Sequence, residues 1–423
     1  MDYRIFPPEE ILETTVALPA SKSIGARQLI LNYIVGSKAD PSAQGCADTA
    51  VLAGILAAGL PSDGSTVDVG TAGTAMRFLT ALCAATPGCR CVLTGSRRMC
   101  ERPLGPLVHV LRMLGADIEY AGEEGFPPLK ISGRRLSGGS VDIDASVSSQ
   151  FVSALMMITP LLDNGLTLRL LGDVKSLPYI SMTAELMRRH GVAVDFDRDK
   201  VEVPCSPLRA CDCAEPDWSA AAFWYEIAAI TAGWVTLEGL SDDTVQGDSA
   251  VAPLFERLGV LTEFTDEGAE LSATPDLYNS LDADMAGMPD TVPALVVTCC
   301  LAGIPFRLSG IEVLRYKECD RIAALCAEMA KIGCLLETGV YGTVLSWDGR
   351  RVPVHTMPVF DTYSDHRMAM ALAAVAVFVP GIVVKDAEVV EKSYPAFWQQ
   401  LESAGFRLAD PADPIPQSDE QEA

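Results

Sequence analysis

The sequence is short of positive charge. It carries 32 Lys+Arg against 56 Asp+Glu, a formal net charge of −24. Nucleic acids and anionic membrane surfaces need a basic face, so neither is expected as a partner. Small anionic ligands remain open. Surface fields are screened beyond roughly 8–10 Å at physiological salt, and a basic pocket can sit inside an acidic shell. Histidine is scarce as well, with four residues and none in an HExxH pattern. The 13 cysteines include no CxxC pair, and Cys211 with Cys213, or Cys299 with Cys300, stand too close for a zinc-knuckle spacing. No metal centre is therefore expected. The start, MDYRIFPPEE, has no secretory leader pattern, which predicts reduced thiols and a cytoplasmic location. The longest uncharged run, Met368 to Val384, is broken by Pro380-Gly381. It falls short of the about 20 residues of a membrane span and reads as buried helix, turn and buried strand. Neither a Walker motif nor a GxGxxG strand-to-helix turn occurs, so nucleotide folds have no support.

What is present is a long alternation of short β-rich runs and apolar helical patterns. The 423 residues, 49% hydrophobic, suit two domains of about 200 residues each. TVALP then GARQLILNYIVG reads as strand then helix, and TAMRFLTALCAAT, CRCVLTG and PLGPLVHVLRMLGA continue as helix, strand and helix. DIEYAG, PLKISG and SVDID follow as strands, and the same order returns twice further along. One βαβαββ-like unit of about 60–70 residues thus recurs by pattern rather than identity. The polar cluster CDCAEPDWS marks a boundary, and the Pro-rich acidic end ADPADPIPQSDEQEA reads as a disordered tail.

The few cations have a common setting. Lys22, Arg27, Arg77, Arg98, Lys317, Arg321, Arg367 and Lys392 all lie in Gly-, Ser- or Pro-rich turns at predicted helix ends. Helix N-termini add free N–H groups suited to phosphate or carboxylate. Lys317 and Arg321, four apart, repel unless something anionic lies between them. Taken singly, SKS, SVSSQ and SLPYIS could be ordinary caps or turns.

The ordered set LPASKSIGAR, TAGTAMR, LTGSRRMCERPLGPLVHVLRMLGA, SVSSQF, SLPYISMT, RYKECDR, TYSDHRMAM and VEKSYPAFWQQL resembles the 5-enolpyruvylshikimate-3-phosphate synthases, the enolpyruvyl transferases of the shikimate pathway. The resemblance runs from about Leu18 to Leu401. It implies an α/β (α+β) fold of two similar domains, each of three βαβαββ units around buried helices. The expected N-terminal domain is 20–215, the C-terminal domain 1–19 with 216–408, and the tail 409–423. Hinges fall near Pro19–Ala20 and Ala214–Pro216.

The implied reaction joins phosphoenolpyruvate and shikimate 3-phosphate with release of phosphate, in a monomer and without cofactor or metal. By resemblance, Lys22, Gly73, Arg98, Gln150, Arg321, Arg367 and Lys392 contact phosphoenolpyruvate. Lys22, Ser23, Arg27, Ser148, Ser149, Gln150, Ser176, Asp290 and Lys317 hold shikimate 3-phosphate, with Tyr179 adjacent. Asp290 would accept the proton of the attacking hydroxyl, Glu318 would protonate the methylene carbon, and Lys22 would share in proton transfer as phosphate leaves. The division of these transfers among the three stays open. Because the cationic turns come from both halves, mutual repulsion predicts an open cleft without bound anions.

Five positions depart from the family pattern: Ala20, Ala26, Thr71, Phe78 and Val313. Phe78 stands where proline is usual, and the expectation is a freer helix start and weaker inhibition by the herbicide glyphosate. The sister transferase acting on UDP-N-acetylglucosamine is disfavoured, because Lys22 is followed by Ser23 rather than asparagine and Cys100 lies in a shikimate-type RMxERP turn. A non-catalytic paralogue is disfavoured by the joint presence of Lys22, Asp290, Glu318 and Arg367.

Overall fold

The structure is a computed structural model that describes residues 1–174 and 176–413. Its organising feature is a set of helices too apolar to face water on any side. Every residue from Ala75 to Ala85 of the helix Gly73–Ala85 is buried, as are Val292–Cys300 and the whole of His366–Ala373. A helix apolar all round must be enclosed, and here four-stranded sheets enclose it. Two cores result. One gathers Ile24 to Cys213 around the helices Gly73–Ala85 and Ser149–Met157. The other gathers Ile5, Leu12 and Val16 with Trp218 to Phe406, around Trp218–Thr231, Val292–Ala302 and His366–Ala373.

Five sheets share one topology. In the first, Thr66–Asp68 runs parallel to Arg90–Thr94, and the hairpin Asp117–Tyr120/Leu129–Ser132 returns antiparallel to the latter. Gly139–Asp144, Leu166–Leu171, Asp195–Asp197 and Lys200–Val203 repeat this order, as do Leu281–Asp284, Phe306–Ser309, Glu337–Thr338 and Val344–Trp347. The other two sheets borrow their missing strand from the N-terminus. Tyr3–Phe6 lies between Ile382–Val384 and Arg407–Ala409, and Glu13–Val16 runs parallel to Trp234–Glu238. The sixth unit differs from the sequence reading. Around Lys22–Val35 and Ala47–Ala58 no sheet forms among the described residues, although the helices take their expected places.

The chain passes between the cores twice, side by side. Ala20 bridges Pro216, Ser21 donates its N–H to the Glu215 carbonyl, and Asp217 donates to that of Pro19. These short rungs are the only backbone pairing of the two crossing strands at this point among the described residues. The tail starts later than expected. Ala409 still pairs with Arg4, and the Arg4 guanidinium reaches the Pro411 carbonyl, which removes 409–413 from the disordered tail; residues 414–423 lie outside the described residues. Among the described residues no helix is long and apolar enough to cross a membrane.

One core residue breaks the apolar rule. Glu226, on the helix Trp218–Thr231, is fully buried, and neither carboxyl oxygen has a hydrogen-bond partner among the described residues. Burial pushes its pKa well above the ordinary 4.5, so the folded chain keeps the proton that the unfolded chain releases. Between pH 4.5 and the folded value, stability must fall as pH rises, by at most about 1.4 kcal/mol per unit. Glu226→Met should therefore stabilise the protein by about 1–3 kcal/mol at pH 7 and by much less at pH 4. Urea midpoints at the two pH values check this; equal gains would show that the carboxyl is satisfied after all.

Candidate active site

The two cores meet at a cleft of about 890 Å³, part of it open to solvent. Six cations line it: Lys22, Arg77, Arg102, Lys317, Arg321 and Arg367. Only three carboxylates do: Asp48, Asp290 and Glu318. A chain of net charge −24 thus carries a positive surplus at this one place. Ser23, Ser148, Ser149 and Ser176 add hydroxyls, with Gln150 and Tyr179 beside them.

Helix starts supply most of these groups. Lys22 opens Lys22–Val35, Gly73 opens Gly73–Ala85, Ser149 opens Ser149–Met157 behind the Ser148 cap, and Arg321 and Arg367 begin their own helices behind Asp320 and Asp365 caps. Free N–H groups and partial positive charge converge on the cleft with the side chains. Gly73 has a further reason to be glycine. A Cβ there would lie 2.5 Å from Arg102 Nη1 and 2.9 Å from Arg77 Nη1.

A web of ion pairs holds the cations. The Arg321 guanidinium, 1% exposed, donates from Nε to Asp365 Oδ2 at 2.7 Å, from Nη1 to Asp290 Oδ1 at 2.8 Å and from Nη2 to Glu318 Oε2 at 3.0 Å. Asp290 also receives Lys317 at 3.1 Å and Arg367 at 3.2 Å. Lys392 sits 3.5 Å from Glu318 Oε1 and donates to the Thr71 carbonyl of the other half. Burial alone would raise both carboxylates, but the cations outweigh it and hold Asp290 and Glu318 well below their usual range. Lys22 lies 3.3 Å from Asp48. Burial works to lower it, yet Asp48 and Glu318 prevail and hold its pKa up. All three are charged as they stand.

Several expectations need correction. Arg98 does not line the cleft. It is half exposed and donates to the backbone carbonyls of Arg315, Lys317 and Glu318 at the rim. Arg102, buried and bonded through Nε to the Tyr316 carbonyl, lines the cleft instead. Arg27 is also behind the wall. Its guanidinium contacts Thr183 Oγ1, Ser153 Oγ and the Ser23 and Tyr179 carbonyls, and lies 5.5 Å from the Phe78 ring centroid. Phe78 itself is in the second helical turn and fully buried. It braces Arg27 rather than loosening a helix start, and proline there would remove an internal helix bond at about 3 kcal/mol. The expected repulsion between the halves is answered by Asp290 and Glu318, so the cationic turns are apposed. Sequence reasoning missed Arg102 and Asp48 as cleft residues and left Arg77 without a role. Arg102 shares the turn GSRRMCERP with Arg98, and no motif in the sequence marks which of the two side chains faces the cleft.

The fold defines a class of two-core α/β proteins with a cationic cleft between the cores. Solved structures of this architecture superpose over nearly the whole chain. An EPSP synthase from Acinetobacter baumannii gives a TM-score of 0.73 at 21% identity, covering 97% of this chain and all of that one. The enolpyruvyl transferase NikO from Streptomyces tendae gives 0.69 at 15% identity, covering 96% of this chain and 99% of that one. The particular family follows from sequence: residues 47–401 match EPSP synthase (3-phosphoshikimate 1-carboxyvinyltransferase), and the chain belongs to that family. A 3-phosphoshikimate 1-carboxyvinyltransferase of Bacteroides fragilis is 44% identical over 96% of this chain and 99% of its own length. One from Methanoculleus marisnigri is 37% identical over 81% and 80%.

The exchange of Arg98 for Arg102 is directly testable. Arg102→Ala should weaken phosphoenolpyruvate binding by about 2–5 kcal/mol, the cost of removing one partner from a buried charged contact. Arg97→Ala, on a side chain in full solvent, should change nothing, and Arg98→Ala should have a smaller effect than Arg102→Ala. Substrate affinities of the three variants decide the order. A second test uses Gly73→Ala, which must push both guanidinium groups aside. Steady-state inhibition should show glyphosate losing more affinity than phosphoenolpyruvate; equal losses would mean that the crowding falls on the part of the site both ligands share.

Proposed function

We propose that the protein transfers the enolpyruvyl group of phosphoenolpyruvate to the 5-hydroxyl of shikimate 3-phosphate and releases inorganic phosphate, as a cytoplasmic monomer. The observation that carries this reading is the cleft's six cations against three carboxylates. Two substrates with roughly five to six negative charges between them need such a surplus, and side-chain cations with helix N-termini can meet it without a metal. On this reading the two cores are the domains 20–215 and 1–19 with 216–408.

The ion pairs suggest how the acids and bases are switched. Asp290 is a poor base while Lys317, Arg321 and Arg367 attend it. Substrate phosphate and carboxylate groups compete for the same cations. As they take them, Asp290 regains basicity and can accept the 5-hydroxyl proton while the oxygen attacks C2 of phosphoenolpyruvate. Glu318 is freed in the same way from Lys392 and Arg321, so its pKa rises and it can carry the proton that C3 receives. In the second step the new methyl group gives up a proton, the C2–O bond to phosphate breaks, and Lys22, kept protonated by its carboxylate neighbours, supplies a proton to the departing phosphate. Ser23, Ser148, Ser149 and Ser176 donate to the phosphate of the sugar ring. Val313 lines the cleft with no hydrogen bond to offer, whereas Thr71 acts through its carbonyl, which any residue provides.

Phosphate release measured with both substrates, with each alone, and with UDP-N-acetylglucosamine in place of shikimate 3-phosphate tests the reaction. Release is expected only with phosphoenolpyruvate and shikimate 3-phosphate together; release with the nucleotide sugar would overturn the reading. Asp290→Asn should lower kcat by about 10²–10⁴, the contribution of one general base. Binding of shikimate 3-phosphate should change little, because the same substitution frees Lys317. A near-normal kcat would assign the base to Glu318 or Lys22.

A further inference from the structure

A second cluster of chemically capable side chains lies well away from the cleft, where the N-terminal core hands the chain to the crossing. The helix Leu177–Arg189 ends on His190, and the segment 211–213 passes beside it just before Ala214–Pro216. One ring nitrogen of His190 and the sulfurs of Cys211 and Cys213 lie within 4.8 Å of one another, and the two sulfurs are 3.1 Å apart. The CxC spacing argues against a zinc knuckle, because it cannot supply four ligands; only the folded chain brings a histidine from 21 residues upstream of Cys211 to complete three.

His190 is prepared as a ligand. It is fully buried. Its Nδ1 stands 2.8 Å from the Leu186 carbonyl, which can only accept, so Nδ1 carries the proton and Nε2 the lone pair. Nε2 has no partner among the described residues. A carbonyl fixing one ring nitrogen, with the other unpartnered and two thiols close to the ring, is an arrangement in which metal-bound histidines are held. The backbone around it is tied down. The His190 carbonyl accepts from Arg209 N–H, and the Cys211 carbonyl accepts from the Gln28 and Asn32 side-chain amides. The Arg189 cation next to Cys213 is paired with Glu185 and Glu215, so it does not oppose a bound cation unscreened.

We propose that His190, Cys211 and Cys213 form a binding site for a thiophilic divalent cation such as Zn²⁺, with water in the fourth position. Tetrahedral coordination with bonds of about 2.3 Å to sulfur places two sulfurs about 3.8 Å apart, so the pair needs to open by less than 1 Å. Cys211 is partly exposed and lines the floor of a groove with Ala210, Asp212, Gln28 and Asn32, which gives the ion an entry path. The other thiol group of the molecule, Cys83, Cys89 and Cys91, is buried throughout and satisfied internally by its own hydrogen bonds. It offers neither a nitrogen ligand nor a partly exposed member.

The test is titration of reduced, chelator-treated full-length protein with Cd²⁺ as a Zn²⁺ surrogate, following cadmium–thiolate charge-transfer absorption, with calorimetry for Zn²⁺ itself. One equivalent is expected to bind with thiolate absorption and to raise the thermal midpoint. Affinity should fall by about 100-fold or more in Cys211→Ser/Cys213→Ser, fall about 10–100-fold in His190→Gln, and stay unchanged in Cys83→Ser/Cys89→Ser/Cys91→Ser. Circular dichroism and retained phosphate-release activity establish that each variant is folded. Absence of stoichiometric binding to the wild type would overturn the proposal. So would binding that survives the double substitution and disappears in the triple one, or wild-type affinity in folded His190→Gln.

Discussion

Arg321 has no access to water, and everything at the cleft depends on how its charge is answered. A buried guanidinium left unpaired costs several kcal/mol. Here three carboxylates from three elements converge on it: Asp365 from the cap of one helix, Asp290 from the turn before another, and Glu318 from the turn preceding its own helix. That convergence fixes where Asp290 and Glu318 stand. They in turn hold Lys317, Arg367 and Lys392, and through Lys392 and the Thr71 carbonyl the second half is drawn in. The cleft is a cluster in which three carboxylates answer part of the charge of six cations and leave a positive surplus.

Displacement also links binding to chemistry. A general base with cations on three sides is held ionised and weak; one stripped of them is stronger by the Coulomb energy removed. On the proposed reading, the same groups that attract the substrates keep Asp290 and Glu318 inactive until the substrates arrive. Lys22 is arranged the other way, with carboxylates that keep it charged, which suits a donor rather than an acceptor.

Much of this was legible in the chain. The helix starts behind SKS, AGTAMR and SDHR carry cations whose placement in Gly- and Ser-rich turns is wasteful unless an anion is to be held, and Lys22, Gly73, Lys317, Arg321 and Arg367 all meet where that reasoning sends them. Arg98 and Arg102 show its limit. Both lie in one short turn, GSRRMCERP, and only the direction of each side chain separates a rim contact from a cleft wall; sequence spacing carries no such direction. Arg27 fails similarly, since a helix start can offer its arginine to a ligand or to the next layer of packing. Asp48 and the silent Glu226 carry no motif at all, being set by partners far away in sequence. The missing sixth sheet is a failure of pattern, because helical periodicity was read correctly while strand partners were supposed by analogy with the other units.

The two borrowed strands carry a consequence for synthesis. The residues of the core from Ile24 to Cys213 have all been made once that stretch has left the ribosome. Residues 3–6 and 13–16 emerge before it but cannot be used by it. Tyr3–Phe6 finds its neighbours only when Ile382–Val384 and Arg407–Ala409 are made, so this segment stays unpaired until strands far later in the chain have appeared. A bare edge strand of this kind invites wrong partners. Translation of the second half is thus a race between finishing the sheet and exposing its first strand, and the protein's yield in the cell should depend on how fast that half is read.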